Sequence, residues 1–302
     1  MKKSVKITLI VAAALVGLGL CLSVAGFAMG GRLSELRNMH LDPATGQWEV
    51  ADSREPTEDL YTGSDYVLPA ETDITALDID WITGEVEILV TDDDAITVAE
   101  EVGYNGYNAH PMVVTDDSGT LRIRYADETW MSAIDLAEKK LTVHLPRAVV
   151  KNLTDVNLVS VSADYKVDAL TVREEFVFSS VSGDLETGAI TAENVNAEVN
   201  TVSGKIQLDG SFRQVNGEST SGEIDLTLRT CPNKLSVATV SGDVDVELPR
   251  SAGFTLAYNT VSGDLECDFA AKRSGEKLIC GNGGCEISVD TTSGDLKFET
   301  ID

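Results

Sequence analysis

Thr239-Val240-Ser241-Gly242-Asp243-Val244-Asp245-Val246 is a stretch whose near copies recur before and after it at almost constant spacing. Each copy has Ser-Gly, then a charged residue, then an alternating strand. The glycines of the clear copies are Gly183, Gly204, Gly222, Gly242, Gly263 and Gly294. Successive glycines are separated by 21, 18, 20, 21 and 31 residues. A fixed period of about 20 residues is typical of a solenoid, in which each repeat packs only on its neighbours.

Alignment of the copies on the glycine shows four columns of mostly apolar residues. In the central copy these columns contain Leu235, Val237, Val244 and Val246, and polar residues such as Asp245 lie between them. Such alternation predicts two short strands per repeat, each facing the core with every second residue. The chain is 6% aromatic, so its core is filled mainly by residues that favour strands. The sequence therefore predicts an all-β, β-helix-like solenoid of two-strand repeats.

The Ser-Gly pair is predicted to form the corner between the two strands. Glycine is expected there because it adopts positive φ easily, and the serine hydroxyl can bond neighbouring amides. Two weaker copies lie upstream, Thr83-Gly84-Glu85 and Ser162-Ala163-Asp164. Because Ala163 replaces the glycine, the second of these turns is expected to be different or strained.

The N-terminal part of the chain has the pattern of a membrane anchor. Residues 1–6 form a short basic segment, and residues 7–29 carry no charge. A helix of that length reaches about 35 Å, enough to span a hydrocarbon core. The positive-inside rule predicts a single-pass cell-membrane protein with a cytoplasmic N-terminus and an extracytoplasmic remainder. A cleaved signal peptide ending near Gly26-Phe27-Ala28 is the alternative.

Three further segments follow the predicted transmembrane helix. Residues 30–68 show no sustained period and are interpreted as a stalk or linker. Residues 69–150 contain irregularly spaced strands, which form either a drifted first repeat or a cap on the solenoid edge. Residues 151–302 contain the regular repeats.

The chain is strongly acidic, with a formal net charge of −27. Such a surface repels nucleic acid and attracts cations. A solvated acidic surface that keeps the domain soluble is the simpler explanation. Nucleic acid is therefore excluded as a partner.

The residue after each glycine forms a predicted ladder of mostly acidic side chains along one edge. Its weak metal candidates are Asp184, Glu223, Asp243, Asp264 and Asp295, interrupted by Lys205. Calcium requires six to eight oxygen ligands, and one carboxylate per repeat supplies few of them. Turn capping is therefore favoured over metal binding, and no cofactor is expected.

An enzyme is the less favoured hypothesis. Some β-helices cleave polysaccharides with paired carboxylates, but no acidic pair stands out in this sequence. The histidines, His40, His110 and His144, lack metal-ligand spacing or a partnered nucleophile. We expect no catalytic residues.

The cysteines beyond the anchor are Cys231, Cys267, Cys280 and Cys285. Cys280 and Cys285 lie in the long 31-residue step, so a disulfide that closes this inserted loop is one possibility in an exported protein. Free buried thiols are the alternative, above all for Cys267, which falls in an inward column.

The repeats resemble a bacterial "putative adhesin" family of unknown function that is marked by V-S-G-D-hydrophobic repeats. The resemblance is carried by Val181-Ser182-Gly183-Asp184-Leu185, Val240-Ser241-Gly242-Asp243-Val244 and Val261-Ser262-Gly263-Asp264-Leu265, and extends from about residue 73 to the C-terminus. It implies an all-β repeat domain displayed outside the membrane, with relatives in envelope-stress operons. It transfers no catalytic residue.

We therefore expect a membrane-anchored, non-enzymatic binding, adhesin-like or scaffolding module of the bacterial cell envelope. Its contact surface would be the flat strand faces, and its partner an envelope protein or glycan not identified by the sequence. The first alternative is a sensory or regulatory accessory that acts on a membrane partner. The second alternative is a polysaccharide-active β-helix enzyme.

Overall fold

The computed structural model describes residues 39–41, 48–50, 61–62, 65–69, 73–102, 111–126, 137–191 and 195–301. The predicted membrane segment, residues 7–29, and most of the predicted stalk lie outside these residues. Within the described ranges, no helix is long and apolar enough to cross a membrane. Among the described residues, one short helix, α1 (Arg147–Val150), interrupts an otherwise all-β structure.

Strands make up the rest of the regular structure in the described residues. In chain order they are β1 (Met39–Leu41), β2 (Trp48–Val50), β3 (Tyr61–Thr62), β4 (Asp65–Pro69), β5 (Ala76–Thr91), β6 (Ala95–Val102), β7 (Val113–Asp117), β8 (Thr120–Arg124), β9 (Lys139–Pro146), β10 (Asp155–Val167), β11 (Glu175–Ser180), β12 (Leu185–Thr187), β13 (Ile190–Thr191), β14 (Asn196–Thr201), β15 (Ile206–Ser211), β16 (Gln214–Ser219), β17 (Ile224–Leu228), β18 (Lys234–Thr239), β19 (Val244–Pro249), β20 (Phe254–Asn259), β21 (Leu265–Cys267), β22 (Ala271–Ser274), β23 (Lys277–Cys280), β24 (Cys285–Thr291) and β25 (Leu296–Ile301).

The repeats stack as rungs of two parallel sheets. The strands before the Ser-Gly turns, β11, β14, β16, β18, β24 and β20, form sheet A. The strands after the turns, β12, β15, β17, β19, β25 and β21, form sheet B. β5 and β10 run through the turn and join both sheets. We name each rung after its residue at the glycine position.

The predicted inward columns form the core between the two sheets. Their members in the central rung, Leu235, Val237, Val244 and Val246, are all at most 1% exposed. Side chains from the two sheets meet across the core. The Tyr165 ring of sheet B packs edge-on against the Phe178 ring of sheet A, with centroids 5.7 Å apart. The alternation in the sequence is therefore a true inward and outward pattern.

The rungs do not stack in sequence order at the C-terminal end. β24 and β25, the Gly294 rung, pair with β18 and β19 of the Gly242 rung. β20 and β21, the Gly263 rung, pair with the other edge of β24 and β25. The Gly263 rung, which comes first in the sequence, is therefore the outermost rung. The Gly294 rung lies between it and the Gly242 rung. Consecutive repeats are therefore not adjacent in the stack at this point.

A hairpin covers part of the outermost rung. β23 pairs antiparallel with β20, and β22 pairs antiparallel with β23. Three residues in inward columns of the Gly263 rung are only half-buried, because the described residues form no complete rung beyond them: Tyr258, Leu265 and Cys267.

The other end of the stack combines a rung with a cap. β5 pairs with β10 from Ala76 to Ile88, on both sides of the corner at Gly84, and is therefore a first rung. Its opposite edge is covered by β8 and β9, which also pair in parallel. Antiparallel strands then extend each half: β7 and β3 beside β8, and β6 and β4 beside β9. The first edge of the solenoid is thus shielded from edge-to-edge pairing.

Candidate functional site

Glycine is required at the corners because a side chain would not fit there, and not because the backbone adopts an unusual conformation. Positive φ occurs at Gly84, with φ 103°, but at none of the six corner glycines of the clear repeats. A Cβ on Gly242 would overlap the carbonyl oxygen of Gly222 in the adjoining rung, and the other five corner glycines meet their neighbours in the same way. The expected role of positive φ is therefore wrong. The rungs approach too closely at this corner for a side chain.

A buried hydroxyl three residues before the glycine position holds the corner. It accepts the N–H of that residue at 2.7–2.9 Å. The hydroxyls belong to Ser160, Ser180, Thr201, Ser219, Thr239 and Thr291. Ser160 caps Ala163 in the same way, so the alanine copy keeps the hydrogen bond of its neighbours. The serine beside the glycine is less important, since Ser241 Oγ reaches the Thr220 carbonyl at 3.4 Å.

The acidic ladder after the glycines links neighbouring rungs. Asp184 Oδ1 accepts the N–H of Lys205 at 2.6 Å. Asp243 Oδ1 accepts the N–H of Asp295, and Asp295 Oδ1 accepts the N–H of Asp264, each at 2.8 Å. These carboxylates thus bond the backbone of the adjoining rung at the start of sheet B. This contact does not require a metal ion.

A group of carboxylates that includes one ladder residue lies on the outward face of sheet B. We call Glu223, Asp225 and Asp245 the acidic cluster, because their carboxylate oxygens lie within 4.8 Å of one another. Asp225 and Asp245 are directly paired in the register of β17 and β19. Lys205 Nζ lies 3.1 Å from Glu223 Oε2 and 2.8 Å from Asp225 Oδ2.

The electrostatics of the acidic cluster are unbalanced. Partial burial, followed by the charge of Asp225, raises the pKa of Asp245. The hydrogen bond to Asp225 raises the pKa of Lys205. Asp225 Oδ1 is buried and has no hydrogen-bond partner in the described part of the chain. Calcium requires six to eight oxygen ligands, and the cluster has only three carboxylates, two of which are paired with Lys205. We therefore assign no metal site.

Of the five weak metal candidates, only Glu223 belongs to the acidic cluster. Asp225 and Asp245, three residues after their glycines, were missed because the prediction followed the residue directly after the glycine. The alternating pattern of the sheet B strands could have predicted the positions of both residues. Asp225 and Asp245 occupy the same outward position in adjacent repeats, and parallel in-register stacking brings such positions together.

The disulfide pairing differs from the expected one. Cys285 is bonded to Cys231, and Cys280 is a free, buried thiol. The bond therefore does not close the inserted loop between Cys280 and Cys285. Instead it joins the residues that precede β18 to the start of β24, two strands that are adjacent in sheet A. The sequence spacing could not predict this pairing, because the rung order decides which segments are neighbours. Cys267 is free, as the alternative reading expected, but it is only half-buried.

A buried ion pair lies in the N-terminal cap. Lys139 Nζ lies 3.0 Å from Glu100 Oε2, and their side chains are 0% and 4% exposed. The ammonium also lies over the Tyr125 ring and donates to the Tyr125 carbonyl. Burial lowers the pKa of Lys139, while Glu100 opposes this shift. Because the pair is shielded from solvent and Glu100 also accepts the N–H of Met112, we assign it to the stability of the cap.

The structure thus defines a parallel two-sheet β-solenoid with close-packed glycine corners and an acidic outward face on sheet B. The chain belongs to the Toastrack DUF4097 family, whose model matches residues 74–299. No curated protein matches it.

Several solved structures are similar to this chain. A "putative adhesin" from Bacteroides fragilis is 15% identical, with 82% of this chain and 100% of that chain covered and a TM-score of 0.42. A "putative lipid binding protein" from Parabacteroides distasonis is 14% identical, with 80% and 97% covered and a TM-score of 0.38. A "putative cell adhesion protein" from Clostridium sporogenes is 12% identical, with 82% and 100% covered and a TM-score of 0.36.

Proposed function

We propose that this protein is a non-enzymatic binding module that recognises a cationic partner with the outward face of sheet B. The observation that carries the proposal is the acidic cluster, in which Lys205 pairs with Glu223 and Asp225, and Lys297, the cross-strand neighbour of Asp245, is itself paired with Glu299. Asp243 lies after the corner of the same rung as Asp245, so the negative charge extends to the edge of the sheet. A face of one charge sign attracts partners of the opposite sign and accelerates their encounter.

The electrostatic state of Asp245 favours a ligand that brings positive charge. The raised pKa of Asp245 reflects partial burial and repulsion within the cluster. A lysine or arginine side chain of a partner would offset this repulsion, because it brings opposite charge to the outward face. The chemistry of the partner is therefore that of a basic protein segment.

The proposed location is the outside of the cytoplasmic membrane, with residues 7–29 as the anchor. The charge-free run and the basic residues 1–6 support this topology. The Cys231–Cys285 disulfide agrees with it, since such bonds persist in oxidising compartments outside the cytoplasm. In this arrangement the protein is an adhesin-like or scaffolding component of the cell envelope. An envelope protein with an exposed basic segment is the partner that this charge distribution favours.

The binding proposal is tested with a decalysine peptide as the probe. The triple variant Glu223→Gln, Asp225→Asn and Asp245→Asn removes the acidic cluster, and we expect its affinity for the peptide to fall by about tenfold, since each exposed pair contributes a few tenths to 1 kcal/mol. The matched control replaces Glu175, Glu198 and Glu286 of sheet A with glutamine. The control should lose less than about threefold. Equal losses in both variants would show non-specific attraction and contradict a site on sheet B.

Two experiments separate this function from its alternatives. Replacing residues 7–29 with an unrelated membrane anchor should leave peptide binding and surface attachment intact, whereas a regulator that acts through a membrane partner would lose its effect. Incubation of the whole protein with cell-wall glycans should give no cleavage product. Turnover that a single carboxylate substitution abolishes would instead establish a polysaccharide-active enzyme.

A further inference from the structure

The two free cysteines of the described residues meet in the outermost part of the stack. Cys267 ends β21 in sheet B and pairs in register with Phe298 of the Gly294 rung. Cys280 ends β23, the strand that covers the outer edge of β20. The two cysteines thus belong to different layers, one to the last rung and the other to the hairpin that lies over it.

The two thiols lie around the same aromatic rings in one apolar cluster. Cys267 pairs in register with Phe298, and the register of β20 and β23 places Cys280 opposite Phe254. The surrounding side chains hold them in place. The Phe254 ring packs against the Phe269 ring with centroids 5.1 Å apart and against the Phe298 ring at 5.4 Å. Cys267 Sγ also lies 4.0 Å from the Phe269 carbonyl oxygen.

We propose that Cys267 and Cys280 form a redox-active pair that closes into a second disulfide and fastens the β22–β23 hairpin to the last rung. The oxidant is a small disulfide or the oxidised dithiol of a thiol–disulfide exchange protein. Two thiols and one oxidant disulfide give the Cys267–Cys280 bond and two oxidant thiols, so two electrons and two protons pass to the oxidant. Because both cysteines flank the stacked Phe254 and Phe298 rings, this exchange should require little movement of the backbone.

The difference in burial between the two cysteines sets the order of the steps. Cys267 is half-buried, whereas Cys280 is 1% exposed. The Cys267 thiolate therefore attacks the oxidant first, forming a mixed disulfide and releasing one thiolate. The Cys280 thiolate then attacks Cys267 Sγ and releases the second. Burial, together with the neighbouring Cys267, raises the pKa of Cys280 to about 11, so closure should accelerate as the pH rises from 7 toward 9.

Closure would restrain a segment that is open to solvent in the dithiol form. All four residues of β22, including Lys272 and Arg273, are exposed. A bond from Cys267 to Cys280 closes a loop around them, and a restrained loop opens less often to a protease. Cleavage by trypsin at Lys272 and Arg273 therefore reports on the bond, in addition to direct detection of the linked peptides.

The test compares the whole protein before and after treatment with oxidised glutathione. Non-reducing peptide mapping is used because the chain also contains Cys21. We expect a Cys267–Cys280 linked pair beside Cys231–Cys285, and native cleavage at Lys272 and Arg273 slowed by roughly tenfold. Cys267→Ser, at the half-buried position, should remove both effects and keep the Cys231–Cys285 bond.

Three results would overturn the proposal. The first is full alkylation of Cys267 and Cys280 after oxidation, with protein that remains folded by circular dichroism. The second is pairing of Cys280 with Cys231 or Cys285. The third is unchanged cleavage of the hairpin after the Cys267–Cys280 bond has formed, which would leave no fastening role for it. A failure of peptide binding at the acidic cluster would not affect any of these readouts.

Discussion

The Gly242 rung and the Gly263 rung have almost the same sequence pattern but different surroundings. β18 and β19 pair on both edges, whereas β21 pairs only with β25 among the described strands. Thr239 caps Gly242 at 2.9 Å, but the hydroxyl of Thr260 makes no corresponding bond to Gly263. The comparison shows that the repeat specifies which residues point inward, while the position in the stack determines how much each of them contributes to stability.

The largest effect is expected where a covalent bond joins the interior rungs. Cys231→Ala removes the disulfide to Cys285, which closes a loop with a sequence separation of 54. We expect a loss of about 4 kcal/mol in the free energy of unfolding, because the unfolded chain gains loop freedom. Urea denaturation under non-reducing conditions measures it. A loss below about 1 kcal/mol would show that the bond does not tie the two segments together in the folded protein.

The comparison is sharpest at two leucines in the same inward column. Leu296 of the Gly294 rung is 1% exposed, and Leu265 of the Gly263 rung is half-buried. Leu296→Ala should cost about 2–4 kcal/mol, as should Leu226→Ala or Val246→Ala in interior rungs, since each leaves a cavity. Leu265→Ala should cost about 1 kcal/mol. Chemical denaturation measures both losses. If the rungs stacked in sequence order, Leu265 would be interior and Leu296 would lie at the end, so Leu265→Ala would cause the larger loss.

The corner hydroxyls give a smaller contrast between the same kinds of rung. Thr239→Val leaves the buried N–H of Gly242 without its acceptor and should cost about 1–3 kcal/mol. Thr260→Val removes a hydroxyl that does not cap its corner, and should change stability by less than about 0.5 kcal/mol. Thermal unfolding of the two variants beside the parent protein measures the difference. Equal losses would mean that the cap does not depend on the position of the rung.

The smallest effect concerns charge on the outward face of an interior rung. Partial burial raises the pKa of Asp245, and repulsion from Asp225 adds to the shift. Because its folded-state pKa lies above the unfolded one, Asp245 favours the folded state when protonated and disfavours it when ionised. Asp245→Asn should therefore stabilise the protein by less than about 1 kcal/mol at pH 7.

The stabilisation by Asp245→Asn should disappear as the pH falls below the usual carboxyl range. Urea denaturation of the variant and the parent protein at a series of pH values from 7 to 3 measures this difference. A gain that persists at the acid end would contradict its origin in the ionised carboxylate.

Much of the fold could be predicted from the sequence because it depends on local alternation. The inward columns, the corners and the two strands per repeat follow from spacing within about 20 residues. The rung order could not be predicted in this way, because the Gly263 and Gly294 copies carry equivalent patterns and either could pack on the Gly242 rung. The Cys231–Cys285 bond depends on that order and was therefore not predicted either.

The site was predicted in part for a similar reason. Glu223 lies directly after a corner glycine and was visible in the aligned copies, whereas Asp225 and Asp245 are common outward residues until the register places them side by side. The role of the corner glycines required three-dimensional information. The carbonyl of Gly222 lies where a Cβ of Gly242 would be, and no spacing in a single sequence shows how closely two rungs approach.

Amide hydrogen exchange of the folded protein tests the stacking order most directly. β24 and β25 are paired on both edges, so their amides should exchange as slowly as those of β18 and β19. The amides of β21, at the outer edge, should exchange fastest among the sheet B strands compared. The contrary result, with slow exchange in β21 and fast exchange in β25, would place the Gly294 rung at the end of the stack and contradict the structure described above.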